Sequence, residues 1–228
     1  MSRLNRTRLL FGEEGVQKLW GATVMVVGCG AVGSFAAEAL ARTGIGHIIL
    51  VDFDCVEESN INRQLYALDS TIGRSKVSVA ASRIQDINPD IMVESLEIFF
   101  DSSTVISVRP DYIIDAIDTV ESKVALYHWA SSRGIPFISS MGAAAKTDPT
   151  QIRITTISRT SVCPLASRVR KLVRGTGLPD FPVVFSPQPS ISATGHAKNL
   201  GSVITVTGTF GLVLANWVIG EIVHDISF

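Results

Sequence analysis

The chain has 228 residues, which suits one ordinary domain with a substantial core. Hydrophobic residues make up 46%, charged residues 18%, and the formal net charge is −1, so the protein is globular, apolar in balance, and without an overall field that would gather nucleic acid. The three cysteines, Cys29, Cys55 and Cys163, are irregularly spaced with no C-x-x-C pair, which argues against a disulfide framework and against a four-thiolate zinc site.

The opening M-S-R-L-N-R-T-R is basic and lacks the apolar run of a secretory leader, so a cytoplasmic protein is expected. Leu10, Val16, Leu19 and Trp20 predict a helix over 9–20. A buried strand follows at 23–27, a helix at 31–43 and a second strand at 47–51. The pattern then predicts a helix over 73–88 ended by Pro89, a strand over 91–96, and a short helix over 102–108. A strand at 112–116, a helix at 121–133 and a strand at 137–140 complete the regular part. Strands alternating with helices predict an α/β fold, a doubly wound, mostly parallel, Rossmann-like sheet. Beyond Met141 the pattern weakens. Residues 148–149 mark a turn, 151–157 alternate as a strand, and 175–189 read as a Gly- and Pro-rich loop. Residues 201–220 carry no charged side chain and are long enough to span a bilayer. Their threonines, glycines and Asn216, with Glu221 following, favour a buried strand or loop leading into a buried helix. No stable membrane insertion is expected.

The strand at 23–27 runs into Gly28-x-Gly30-x-x-Gly33. Gly28 permits the tight turn, Gly30 lets the backbone approach a phosphate, and Gly33 lets the next helix pack on the strand. The helix start offers free N–H groups to an anion. Asp52 ends the second strand, where a carboxylate accepts hydrogen bonds from ribose hydroxyls. A dinucleotide would need little more. A triphosphate needs cations and a metal ligand, and the chain supplies both. Arg63 suits bidentate grip of a terminal phosphate. Lys76 starts a helix as a point charge, and Asp118, just past a strand, suits Mg2+ held through few protein ligands. Between 151 and 175 lie Arg153, Arg159, Arg168, Arg170, Lys171 and Arg174 with no acid among them. Arg168, Lys171 and Arg174 have the spacing of one helical face, which would suit nucleic-acid phosphates. His196 and Lys198 lie in a loop that would line the approach to the substrate.

R-L-N-R at 3–6, G-C-G-A-V-G at 28–33, D-F-D at 52–54, N-I-N-R-Q at 60–64, Lys76 and D-A-I-D at 115–118 together resemble the ATP-dependent adenylating enzymes of the ThiF/MoeB/HesA superfamily, relatives of ubiquitin-activating enzymes. The resemblance implies a single adenylating domain over 1–228. Its parts would be an N-terminal arm and helix (1–20), a nucleotide-binding core (21–145) and a substrate- and dimer-side extension (146–228). ATP would be held by Gly28, Gly30, Ala31, Val32, Gly33, Asp52, Asp54, Asn60, Asn62, Arg63, Gln64, Lys76 and Asp118. Asp118 would carry the Mg2+. The resemblance also implies a homodimer in which Arg6 reaches the phosphates bound by the neighbouring subunit, so Arg6, Arg63, Lys76 and Asp118 form the expected catalytic set.

A-L-A-R-T-G-I-G at 39–46, I-N-P-D at 87–90, D-P-T-Q-I at 148–152 and V-V-F-S at 183–186 are similar to the branch that dehydrates threonylcarbamoyladenosine at position 37 of tRNA. That branch adenylates the threonyl carboxylate and closes it into a ring. No zinc is expected. A monovalent cation and a sulfur-relay protein partner are left open. Two positions depart from the branch pattern: Cys163 stands where D-P-L is common, and Pro187-Gln188 where a Glu commonly follows V-F-S. The alternative within the superfamily is an adenylyltransferase activating the C-terminal Gly-Gly of a small sulfur-carrier protein. An NAD-dependent oxidoreductase is disfavoured by Arg63, Lys76 and Asp118, and a degenerate nucleotide-binding scaffold by the completeness of the ATP motifs. Cys163 would form a thioester only in the manner of the ubiquitin branch. A ring closure within the substrate needs no enzyme nucleophile.

Overall fold

A computed structural model describes residues 3–191 and 200–223. Its elements run α1 (Asn5–Gly21), β1 (Thr23–Val27), α2 (Gly33–Thr43), β2 (His47–Val51), α3 (Lys76–Ile87), β3 (Met92–Leu96), β4 (Tyr112–Asp115), α4 (Val120–Ser131), β5 (Phe137–Ser140), β6 (Arg153–Thr156), α5 (Pro164–Val173), β7 (Pro182–Phe185) and α6 (Ile204–Val223). The strands form one sheet in the order β3-β2-β1-β4-β5-β7-β6. Its neighbours are parallel except β6, which runs antiparallel to β7. This is the expected doubly wound α/β sheet. The chain leaves β1 toward β2 on one side and returns to β4 on the other, so the switch in strand order falls between β1 and β4. Val27 pairs with both Val51 and Asp115, which brings the loops after β1, β2 and β4 out at one level.

Alternation along the strands sorts the core into two layers. Val24, Val26, Ile48 and Leu50 pack with α2 and α6 through Ala36, Leu40, Phe210 and Leu214. Met25, Val27, Ile49 and Ile113 pack with α4 and α5 through Leu126, Ala130, Ala166 and Val169. As expected for 201–220, a short loop over 201–203 leads into the buried helix α6. The helix is long and apolar enough to cross a membrane by length and composition. Here Phe210, Leu214 and Val218 lie fully buried in the first layer. A Cβ on Gly208 would come within 3.2 Å of the Phe35 ring, so the missing side chain lets α6 and α2 approach closely.

Two expectations fail locally. No helix forms over 102–108. Asp101 instead accepts hydrogen bonds from the Ser103 N–H (2.8 Å) and hydroxyl (2.7 Å), while Thr104 Oγ1 accepts from the Asp101 N–H at 2.9 Å. Short polar side chains here satisfy the backbone that a helix would have used. The loop expected over 175–189 contains β7. Val183 and Val184 are fully buried between β5 and β6, and Pro182 takes the first strand position, where a missing N–H is tolerated.

Candidate functional site

A cavity of about 500 Å³ opens at the carboxyl ends of the central strands, where open α/β sheets bind ligands. Gly28 leaves β1 at φ +91°, and a Cβ there would lie 2.6 Å from the Ala116 carbonyl oxygen. A Cβ on Gly33 would fall on the Gly28 carbonyl oxygen. The fold itself therefore requires both glycines. Gly30 is different. A Cβ there would meet nothing closer than Gln64 Nε2 at 3.7 Å, so the space before it is kept for something outside the chain. Ala31 and Val32 continue this wall, and no side chain caps the start of α2.

Asp52 lines the cavity just past β2. Its Oδ2 accepts the Cys29 N–H at 2.6 Å and its Oδ1 the Asp54 N–H at 2.9 Å. Burial pushes its carboxyl pKa up, against the pull of those two donors. Phe53 and Phe99 meet edge to face at 5.0 Å, and both remain about half exposed at the cavity. With Ile98 they offer the flat apolar surface that a base requires. The sequence reading passes over these residues. Adjacent phenylalanines after a strand are their faint trace.

The segment after Asp52 folds back on the start of α3. Cys55 bridges to Ser75, Val56 N–H donates to Arg74 O at 2.8 Å, and Lys76 N–H to Asp54 O at 3.0 Å. This pins Lys76 beside Asp54, with Nζ donating to Asp54 Oδ2 at 2.8 Å. The following loop is fastened to α2, since Leu65 N–H donates to Ser34 Oγ (3.2 Å) and Tyr66 OH to Ser34 O (3.1 Å). Arg63 and Gln64 thereby face the Gly-rich turn. Arg63 commits Nη1 to Ser59 O (2.7 Å) and Asn62 Oδ1 (2.9 Å).

Asp118 stands exposed at the cavity in the loop after β4. That loop is held from behind by Asp115. Its Oδ1 accepts the Ile117 N–H at 3.0 Å, and its Oδ2 accepts from Lys123 Nζ (2.7 Å), Tyr127 OH (3.0 Å) and Ser139 Oγ (2.5 Å). Lys123 also donates to Ser140 O at 2.8 Å. These side chains are fully buried, and they join the ends of β4 and β5 to α4. In the sequence Asp115 stands out only as part of the D-A-I-D motif, and Lys123 only as a cation on a mostly apolar helix. Among the described residues no group of three or more His, Cys, Asp or Glu could hold a metal. A single carboxylate such as Asp118 fits Mg2+, which binds through one or two carboxylates with substrate phosphates and water.

The structure thus gathers Gly28, Gly30, Ala31, Val32, Asp52, Asp54, Arg63, Gln64, Lys76 and Asp118 around one cavity. Gly33, Asn60, Asn62 and Arg6 do not line it. Gly33 packs behind the turn. Asn60 Oδ1 accepts the Glu57 N–H at 3.1 Å, and Asn62 Nδ2 donates to Ser202 O at 3.1 Å, so both shape the loop that carries Arg63. Arg6 is exposed on α1, whose start lies against the opposite end of the sheet. Arg3 Nη1 donates to Ile87 O at 2.8 Å, before β3, and Leu4 abuts Gly44, before β2. His196 and Lys198 lie outside the described residues.

A further wall is built by Met141 to Ala144 after β5 and by Pro164, Leu165 and Arg168 of α5. Cys163 is buried at the cap of α5. Its Sγ accepts from the Ala166 N–H at 3.5 Å and from Gly142 N–H at 3.4 Å. Gln188 Oε1 accepts the N–H groups of Thr147 (3.0 Å) and Asp148 (3.1 Å), and its backbone carbonyl takes Lys146 Nζ. Both positions that depart from the branch pattern therefore serve as pins behind this wall.

The ThiF family model matches residues 4–225. A tRNA threonylcarbamoyladenosine dehydratase of Bacillus subtilis is 40% identical over 246 residues, covering 100% of this chain and 97% of that protein. The Escherichia coli tRNA N6-threonylcarbamoyladenosine dehydratase TcdA, solved in complex with ATP, matches with a TM-score of 0.90 at 38% identity, covering 96% of this chain and 93% of that one. A molybdopterin-synthase adenylyltransferase of Haemophilus influenzae is 32% identical over 148 residues, covering 63% of this chain and 60% of that protein.

Proposed function

Because the chain belongs to the ThiF family, we propose that it is an ATP-dependent dehydratase of threonylcarbamoyladenosine in tRNA. The observation that carries this is the cavity itself. It joins a phosphate turn, two cations and an exposed carboxylate to a separate wall of small residues rimmed by a basic helix. Relatives named for this activity match over the whole chain, whereas the sulfur-carrier type of adenylyltransferase matches over a shorter stretch.

A carboxylate is a poor acyl donor because oxide would have to leave. Attack of a carboxylate oxygen on the α-phosphorus of ATP forms a new P–O bond, breaks the bond to pyrophosphate and yields an acyl adenylate. A nucleophile in the same substrate side chain then attacks the acyl carbon, releasing a proton to solvent. AMP departs with the former carboxylate oxygen and the ring closes. The substrate has lost one water overall. Such chemistry needs positioning and charge neutralisation more than covalent help, and proximity drives the intramolecular closure. Gly30 and the start of α2 would receive phosphate, Asp52 the ribose, and the Phe53–Phe99 surface the base. Arg63 and Lys76 would neutralise phosphate charge. Asp118 would hold Mg2+, which would supply positive charge against the phosphates.

Arg6 would act in the neighbouring subunit of a homodimer. The start of α1 lies at the β2 end opposite Asp52, about 16 Å of strand away, so Arg6 is badly placed for its own cavity. Leu9 and Leu10 are 72% and 74% exposed on the same helix, an apolar surface that suits a partner copy. A tRNA substrate agrees with a cytoplasmic enzyme.

The test is AMP and pyrophosphate release with and without tRNA bearing threonylcarbamoyladenosine, followed by mass analysis of the nucleosides. tRNA-dependent AMP release with loss of one water from the modified base is expected. Pyrophosphate exchange without that mass change would turn the assignment toward a Gly-Gly protein carboxylate. Asp118→Ala should abolish AMP formation while leaving the melting temperature near wild type, since the side chain is exposed.

A further inference from the structure

Folding divides the basic run of 151–175 into cations with a structural task and cations without one. Arg170 donates to Thr160 O at 3.0 Å and to the Thr160 hydroxyl. Arg159 has the Asp180 carboxylate as its electrostatic neighbour. Arg153 sits on the edge strand β6. Arg168, Lys171 and Arg174 are exposed, and among the described residues none of them has a salt bridge.

These three cations form a line. Their spacing puts Arg168 and Lys171 on one side of α5, and Arg174 follows directly after its last residue. Helix α5 contains no acid to offset them, and like charges at this spacing repel. The line also has a direction. Arg168 borders the cavity beside Pro164 and Leu165, while Lys171 and Arg174 lead away from its mouth. An anion that enters the cavity and continues outward at phosphate spacing would meet one cation after another. The whole protein carries a charge of −1, so such a ligand would have to be held by a local line of this kind.

We propose that α5 is the ridge that holds the phosphodiester backbone of a single-stranded RNA segment whose reacting nucleotide enters the cavity. Arg168 stands at the mouth, and Lys171 and Arg174 take phosphates flanking that nucleotide. This rests on the tRNA dehydratase assignment and names the element that grips the substrate. A single-stranded loop is required because a nucleotide stacked in a duplex cannot present its side chain to the cavity. Contacts of this kind fix position and carry no sequence information.

The test uses the full chain with Lys171→Ala and Arg174→Ala combined, and modified tRNA at several salt concentrations. The KM for tRNA should rise about tenfold or more, and the slope of log affinity against log salt should become shallower by about 1 to 2. ATP affinity and kcat at saturating tRNA should stay near wild type. Lys171→Arg with Arg174→Lys, which keeps both charges, should restore the wild-type KM and salt slope. An unchanged KM and slope in the double alanine variant, with wild-type enzyme active on tRNA, would overturn the α5 ridge and leave the dehydratase assignment standing. A wild-type protein whose AMP release never depends on tRNA would overturn both.

Discussion

At Gly33 a methyl group would have to take the place of the Gly28 carbonyl oxygen, whereas at Gly30 it would meet only Gln64 at 3.7 Å. One motif therefore contains a glycine that the fold requires and one, Gly30, that it does not. Gly33→Ala should yield little folded protein. Gly30→Ala should fold with a near-normal melting temperature and bind ATP at least about tenfold more weakly, a loss of about 1.4 kcal/mol, measurable by calorimetry. Asp52 gives a pH signature. Burial raises its carboxyl pKa, so the folded state takes up a proton at higher pH than the unfolded chain does. Its contribution to stability is present while it is protonated and is lost as pH rises from the ordinary carboxylate range through the raised value. The proposed ribose contact has the opposite demand, since only the carboxylate accepts from both hydroxyls. ATP affinity should thus begin to fall on acidification above the ordinary Asp range, and Asp52→Asn should remove that inflection from a titration of ATP binding against pH. The glycines, Asp52, Arg63, Lys76 and Asp118 were legible because each combines a residue type with a position just past a strand, in the following loop or at a helix start. Phe53 and Phe99 were not, because an exposed aromatic looks like any other phenylalanine until its surroundings are known.

Elements position these residues through connections that skip along the chain. The Asp115–Lys123 pair ties β4 to α4 and β5, and both side chains have 0% exposure. Lys123→Met would strand a buried carboxylate, at a cost of about 3–5 kcal/mol in thermal or denaturant unfolding. A loss under about 1 kcal/mol would contradict the clamp. The cap of α5 is a milder case. Cys163→Ser should retain it, and Cys163→Ala should lose no more than about 1 kcal/mol. Both variants should still form AMP from ATP, and loss of AMP formation in the well-folded serine variant would revive a catalytic thiol. Apart from 102–108, strand–helix alternation up to residue 140 was readable because short apolar runs mark strands buried on both faces and longer segments between them mark helices. The failures at 102–108 and at β7 share one cause. Local composition suggested a helix in one case and a loop in the other, while side-chain hydrogen bonds at Asp101 and burial between two strands at Val183 and Val184 decided the outcome.

The whole molecule places the cavity at one end of the sheet and the start of α1 at the other, which is why Arg6 is proposed to act in a second subunit. Subunits carrying Arg6→Ala and subunits carrying Asp118→Ala should each be inactive alone. Mixed and reassociated, they should recover about a quarter of wild-type activity, since about half the dimers pair an intact Asp118 with an intact Arg6 at one site. Recovery at the level of the separate variants, with dimers demonstrated by sedimentation, would place Arg6 outside the neighbour's site. By itself the sequence determined the alternating layers, the Gly-rich turn and the chemical types of the residues proposed to handle phosphate. Periodicity, backbone freedom and charge are properties of residue types and their spacing, so they can be read along one line. Only the tertiary structure decided which of those residues share a cavity, that Asn60 and Asn62 shape a loop beside it, and which cations of the basic run have no salt bridge among the described residues. Those outcomes depend on partners distant in sequence, as Asn62 with Ser202 and Thr147 with Gln188 show, and no local pattern encodes a partner supplied by another element.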